Sequence, residues 1–262
     1  MERITVYKAD NSSFVVSDDP WVTASGNQTY QRHFMSWISL FALLILYPLM
    51  SSIQPSDQSA LDLLKDDFVW MIGMITTIIF QWILFLMVFG TTHLEKTGLA
   101  GIGFQPFIER DISRGGKALL YVGYALTFLL VANLLLAGLS YLLAQVGLPM
   151  DGDLKFVLPR NLEQAIIWVP LSFTAGFCEE VMFRGYLMTR LRLLFKTKSW
   201  IPSILISSMA FGLCHTYQGL SGFIVITVYG AMFALLYIRT GSIWPGIIAH
   251  ALQDVSAPFF PQ

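Results

Sequence analysis

Six ionisable side chains lie in otherwise apolar stretches of the second half of this sequence. A charge near the centre of a bilayer costs roughly 2.5–3.5 kcal/mol even on lenient insertion scales, so residues of this kind are candidates for function. The first half has essentially none within its predicted helices. The six residues are Glu179, Glu180, Arg184, His215, His250 and Asp254.

The spacing of the first three residues separates their roles. Glu180 and Arg184 are four apart on a predicted helix, so they share a face and can pair. Glu179 is rotated by about 100° from Glu180 and cannot join that pair equally well. The pair is equally compatible with a purely structural ion pair, whereas Glu179 is left to face another partner.

The histidines form a second group. His250 and Asp254 are four apart and share a helix face, and Phe211 precedes His215 by four, so we expect Phe211 to pack beside it. At 1.5 Å per residue, Glu179 and both histidines fall on the order of 12–22 Å from the predicted cytosolic helix ends. A carboxylate and two imidazoles at one depth could activate a water molecule.

The composition predicts the elements that must position these groups. Hydrophobic residues make up 55% of the 262 and charged residues only 13%, with a mean hydropathy of +0.62, which is typical of a membrane protein. The net charge of −1 gives no indication of a nucleic-acid partner. We predict an all-α, polytopic transmembrane bundle of about seven spans. The predicted spans are Phe34–Met50, Phe68–Phe89, Ala118–Val146, Leu162–Leu194, Trp200–Cys214, Gly222–Ile238 and Ser242–Val255.

The distribution of basic residues predicts the orientation. If the N-terminus is cytosolic, the inside connections, with Arg190 among them, hold 12 of the 16 Lys and Arg residues, and the outside connections hold 3. This asymmetry favours a cytosolic N-terminus in a multi-pass membrane protein. The predicted organisation is a flexible, polar cytosolic tail over 1–33, three helices over 34–160 and a catalytic core over 161–262. Gly98, Gly101 and Gly103 predict a turn at a helix junction.

Three ordered motifs carry a family resemblance. They are Glu179-Glu180-x-x-x-Arg184, Phe211-x-x-x-His215 and His250-x-x-x-Asp254. Together they resemble the EExxxR, FxxxH and HxxxN/D motifs of the CPBP intramembrane proteases, which include the type II CAAX-prenyl endopeptidases and the bacterial Abi membrane proteins. The resemblance covers about Gln164–Asp254 and implies a protein of the bacterial plasma membrane.

The resemblance implies a role for each motif residue. Glu179 would be the general base that takes a proton from the attacking water, and His215 would position that water. His250 and the residue at 254 would stabilise the tetrahedral oxyanion. The supporting residues would be Glu180 and Arg184, which organise the site, and Phe211, which packs behind it.

One position departs from the pattern of the prenyl branch, which has Asn where this chain has Asp254. An ionised Asp only accepts hydrogen bonds, so it could stabilise an oxyanion only if protonated. It could instead orient His250 or join a metal site. Zinc held by Glu179, His215 and His250 is chemically reasonable, but we favour a mechanism without a cofactor.

The implied partners are the lipid bilayer and a peptide or membrane-protein substrate, such as a prenylated CAAX tail. Two other functions use the same residues. One is a non-catalytic scaffold or bacteriocin-immunity protein that retains the motifs. The other is a transporter or proton relay, for which repeated halves would be expected, and no repeat is evident in the sequence.

Overall fold

The structure is a computed structural model, and it describes residues 6–9, 13–16, 34–52, 65–104, 113–150 and 157–259. From Phe34 onward, the described residues form a bundle with seven principal helices, α1 to α7. Their bounds are Phe34–Ser52 (α1), Asp67–Leu94 (α2), Arg114–Gln145 (α3), Leu162–Phe195 (α4), Ile201–Leu213 (α5), Gly219–Thr240 (α6) and Trp244–Ser256 (α7). The all-α prediction is confirmed.

In the part of the chain that the structure describes, five helical segments are long and apolar enough to cross a membrane: α1 to α4, and α6 together with the short helix that precedes it. Helices α5 and α7 have 13 residues each. At 1.5 Å per residue each covers roughly 20 Å, less than the thickness of the hydrocarbon. About seven spans therefore agrees with the architecture, with α5 and α7 as the short members.

Helix α4 lies at the centre of the bundle. It packs against α2 and α7, while α6 packs against α5 and α3. All eight residues of its middle segment, Glu180–Leu187, are buried, so this segment has no face toward lipid. The segment is a π-helix, a wider turn that occurs mostly at functional sites. Glu179 is the last residue of the ordinary α-helix before it.

A short turn packs against α4 where α2 ends. Gly98 and Gly103 have positive φ values of 56° and 89° on either side of a single 3₁₀ turn, Leu99–Ile102. The turn predicted from the glycines is therefore present. A side chain at Gly185 would collide with the carbonyl of Ile102, so only glycine lets α4 approach the turn this closely.

One sequence expectation needs correction: Arg190, expected among the cytosolic connections, is a buried residue of α4. It forms an ion pair at 2.6 Å with Glu95, a fully buried carboxylate directly after α2 that the sequence reasoning did not single out. An apolar core imposes such pairing, because an isolated buried charge is very costly.

The segment 1–33 is predicted to be a flexible, polar tail. Within it the structure describes two strands, β1 (Val6–Ala9) and β2 (Ser13–Val16), which pair antiparallel. The sequence reasoning did not predict this hairpin. The rest of that segment lies outside the described residues.

Candidate active site

Only one of the two carboxylate oxygens of Glu179 accepts hydrogen bonds from other side chains. Its Oε1 atom accepts a hydrogen bond from the Tyr47 hydroxyl at 3.0 Å and another from Gln81 Nε2 at 2.7 Å. Its Oε2 atom is buried and has no hydrogen-bond partner in the structure. The distance from Glu179 Oε2 to His250 Nε2 is 3.8 Å, which is too long for a direct hydrogen bond.

Glu180 faces the other way, as the sequence spacing predicts. Its Oε1 atom lies 2.9 Å from Arg184 Nη1 and 3.1 Å from His250 Nδ1. A carboxylate can only accept, so Nδ1 of His250 must carry a proton. This hydrogen bond to Glu180 fixes the orientation of the His250 ring, so that Nε2 of the ring faces Glu179. The second oxygen, Oε2, is buried without a partner beside Gly246.

Arg184 is completely enclosed. Besides Glu180, it donates from Nη2 to the carbonyl of Gly230 at 3.2 Å. Its guanidinium lies 4.2 Å from the ring centroid of Phe211 and 5.2 Å from that of Phe233. A Cβ at position 230 would lie 3.1 Å from both Arg184 Nη2 and the Phe211 ring, so any larger residue there would require these side chains to shift by a few tenths of an ångström.

Phe211 lies between the two histidines. Its ring centroid is 4.9 Å from that of His215 and 6.0 Å from that of His250. The ring of Phe233 stacks on His250 at 5.3 Å. Phe211 therefore packs beside His215, as its spacing predicts, and it also contacts Arg184 and His250. Phe233, which the motifs do not include, restrains the other face of His250.

His215 follows α5, and its ring is oriented by its own helix. Nδ1 lies 2.9 Å from the carbonyl oxygen of Phe211, which can only accept, so Nδ1 donates. The neutral ring then carries its lone pair on Nε2. His215 is within electrostatic range of Glu179 and His250, although the structure gives no hydrogen bond between them.

Asp254 stands at the open edge of the site. Its Oδ2 atom lies 3.7 Å from His250 Nε2, and 31% of its side chain is exposed, against 7% or less for His250 and the two glutamates. His250 is therefore surrounded by three carboxylates, two buried and one part-exposed. The site brings together the motif residues of α4, α5 and α7.

The sequence reasoning missed Tyr47 and Gln81, the two partners of Glu179. Both are buried, on α1 and α2. A Gln in the apolar run Phe68–Phe89 is the one signal that could have indicated Gln81, because a buried amide in a membrane needs a partner. Nothing in the local pattern distinguishes Tyr47 from other aromatic residues.

The donors do not form a ready metal site. Among the residues that the structure describes, no group of three or more His, Cys, Asp or Glu side chains is placed to hold a metal ion. Glu179, His215 and His250, the set considered for zinc, are not arranged in this structure to share one metal ion.

The comparison with known families agrees with this geometry. Residues 161–256 match the family model described as type II CAAX prenyl endopeptidase Rce1-like. The match confirms the family resemblance. It includes all three motifs of this Rce1-like segment and excludes α1 and α2, which carry Tyr47 and Gln81. The long apolar helices indicate an integral membrane protein. Among curated proteins and solved structures, none matches the chain significantly.

We predict that Arg184→Met lowers the free energy of unfolding by about 3–5 kcal/mol, because it leaves the Glu180 carboxylate buried without its counter-charge. The matched control is Arg160→Met, which breaks the exposed ion pair with Asp67, 3.1 Å long, and should cost about 0–1 kcal/mol. Reversible unfolding in mixed micelles measures both. Equal losses for the two variants would show that Glu180 does not depend on Arg184.

Proposed function

We propose that this protein is an intramembrane endopeptidase in which Glu179 activates a water molecule for attack on a peptide bond. The supporting observation is the unequal use of the two oxygens of Glu179. Oε1 is saturated by Tyr47 and Gln81, and the buried Oε2 is unpaired and lies 3.8 Å from His250 Nε2. Glu180 also has an unpaired buried oxygen, beside Gly246, but Glu179 Oε2 is the one that lies toward His250 Nε2.

The separation of Glu179 Oε2 and His250 Nε2 suits a shared oxygen atom. A single oxygen can lie about 2.8 Å from each of two atoms that are 3.8 Å apart, the usual length of such hydrogen bonds. We assign this position to the attacking water. The oxygen that develops negative charge is the carbonyl oxygen of the substrate, a different atom, and we assign His250 Nε2–H to it in the tetrahedral intermediate. His215 Nε2, the acceptor atom of the neutral ring, orients the same water.

His250 is assigned the role of electrophile. Two buried glutamates and Asp254 surround it, and Arg184 supplies one positive charge among them. The imidazolium form of His250 brings this group closer to neutrality, so the carboxylates stabilise it. Its Nε2–H then donates to the oxyanion, and Asp254 stabilises the imidazolium rather than the oxyanion itself.

Glu179 both accepts and later returns the proton that the reaction transfers. The carboxylate takes one proton from water as the water oxygen bonds to the carbonyl carbon. The tetrahedral intermediate then collapses, the C–N bond breaks, and Glu179 returns the proton to the departing nitrogen. The products are a carboxyl group and an amine, and Glu179 is again ionised.

The substrate that we propose is a peptide or membrane-protein segment, with a prenylated CAAX tail as one candidate. This follows from the family of the Rce1-like segment. The part-exposed Asp254 marks the side from which a substrate reaches the site. We further propose that the N-terminus is cytosolic, on the distribution of Lys and Arg.

Glu179→Gln is predicted to reduce kcat by about 10²–10⁴-fold, the usual contribution of a general base. The control is Glu163→Gln at the exposed start of α4, which should leave kcat unchanged. The purified protein in liposomes is given three probes: an internally quenched peptide with a farnesylated CAAX tail, the same peptide without the lipid, and a mixed peptide library. If the wild-type protein cleaves none of them, the peptidase proposal fails and a non-catalytic scaffold is favoured.

The same assay is run after dialysis against a chelator. A reaction driven by Glu179 alone keeps its rate. Loss of cleavage on chelation, with recovery on adding Zn²⁺, would contradict the metal-free form of the proposal and require the site residues to rearrange around a zinc ion.

Asp254→Asn tests the role of the residue that departs from the prenyl branch. If Asp254 stabilises the His250 imidazolium, the neutral amide lowers kcat by about tenfold, with KM little changed. Steady-state rates with the best cleaved probe measure this. A rate equal to or above that of the wild type would contradict this role, because it would show that the negative charge at position 254 is not needed.

A further inference from the structure

The two partners of Glu179 lie outside the Rce1-like segment. Tyr47 is on α1 and Gln81 on α2, whereas the family match begins at residue 161. Both side chains are at least nine-tenths buried, with 6% and 2% of their surface exposed. The carboxylate of Glu179 is therefore held by a part of the chain that the three motifs do not describe.

Tyr47 and Gln81 form a closed triangle with one oxygen atom. Gln81 Nε2 lies 2.7 Å from Glu179 Oε1 and 3.1 Å from the Tyr47 oxygen, and the Tyr47 hydroxyl donates to the same Oε1 at 3.0 Å. The chemistry fixes the direction of each bond, because a carboxylate only accepts. The amide nitrogen, and not the amide oxygen, must therefore face Glu179.

The backbone around the triangle is also unusual. In α1 a π-helical segment, Ala42–Leu46, ends where Tyr47 begins, and the Tyr47 N–H bonds to the carbonyl of Ala42, five residues back. In α4 the π-helical segment begins directly after Glu179. A π-turn changes the direction in which the following side chains point, so both segments bear on how the two side chains meet.

We propose that Tyr47 and Gln81 are positioning residues that determine which oxygen of Glu179 acts as the base. By occupying Oε1 they leave Oε2 as the basic atom and hold it toward His250. This inference rests on the proposed function for its catalytic consequence. The arrangement itself can be tested without any substrate.

The kinetic test compares Tyr47→Phe and Gln81→Leu with matched controls elsewhere in the bundle. Tyr186→Phe removes a buried hydroxyl that donates to Glu95 at 3.4 Å, and Gln164→Leu removes a buried amide that donates to Asp67 at 3.0 Å. Each control therefore loses a comparable bond to a carboxylate outside the site. Thermal unfolding in detergent verifies that each variant is folded.

Each positioning variant is expected to lower kcat by about 10- to 100-fold with little change in KM, as loss of a hydrogen bond to a charged group gives. The controls keep the wild-type kcat. The double variant should lose less than the product of the single losses, because both donors bind one atom and each other. Unchanged kcat in a folded Tyr47→Phe variant, or a change confined to KM, would overturn the inference.

A second readout does not depend on turnover. Infrared difference spectra identify the carboxylate band that disappears in Glu179→Gln. That band should shift in Tyr47→Phe and in Gln81→Leu and stay in place in both controls. If the band shifts but no probe is cleaved, the proposed function fails and the positioning contacts stand. If Glu179→Gln abolishes cleavage but neither positioning variant changes the band or kcat, the positioning inference fails alone.

Discussion

Burial of ionised groups in an apolar bundle is the constraint on which the rest of this structure depends. Each buried charge needs hydrogen bonds or an opposite charge, because lipid and apolar side chains supply neither. Glu180 meets the requirement with Arg184 and His250, and Glu95 meets it with Arg190 and Ser36. Glu179 meets it through Oε1 alone, as Glu180 does, but Oε2 of Glu179 is the free oxygen that lies toward His250 Nε2, where the proposed chemistry takes place.

The same constraint explains why the site depends on helices other than the three that position the motifs. The motif residues pair with one another, but they leave Glu179 without a donor. Helices α1 and α2 supply that donor pair through Tyr47 and Gln81. The ion pair of Glu95 with Arg190, together with the glycine turn against Gly185, fixes the end of α2 onto α4. The first half of the chain thus both encloses the site and completes it.

The sequence could predict what depends on composition and local spacing. Long apolar runs predicted the helices, and the spacing of four predicted that Glu180 would lie beside Arg184 and Phe211 beside His215. It could not predict contacts between distant helices, because uncharged donors such as Tyr47 carry no periodic signal. Glu95 was missed because it follows α2 directly and looks like an ordinary loop residue. The π-helical segments depend on tertiary packing, and propensity does not predict them.

In the proposed mechanism, Glu179 acts on water and not directly on the substrate. A single turnover in H₂¹⁸O, with excess protein over a cleaved peptide, tests it by mass spectrometry of both the product and the Glu179 side chain. The account predicts one ¹⁸O atom in the new carboxyl group of the product and none in Glu179. Label in the Glu179 carboxylate would show that it attacks the peptide bond itself through an acyl intermediate, and would contradict the account.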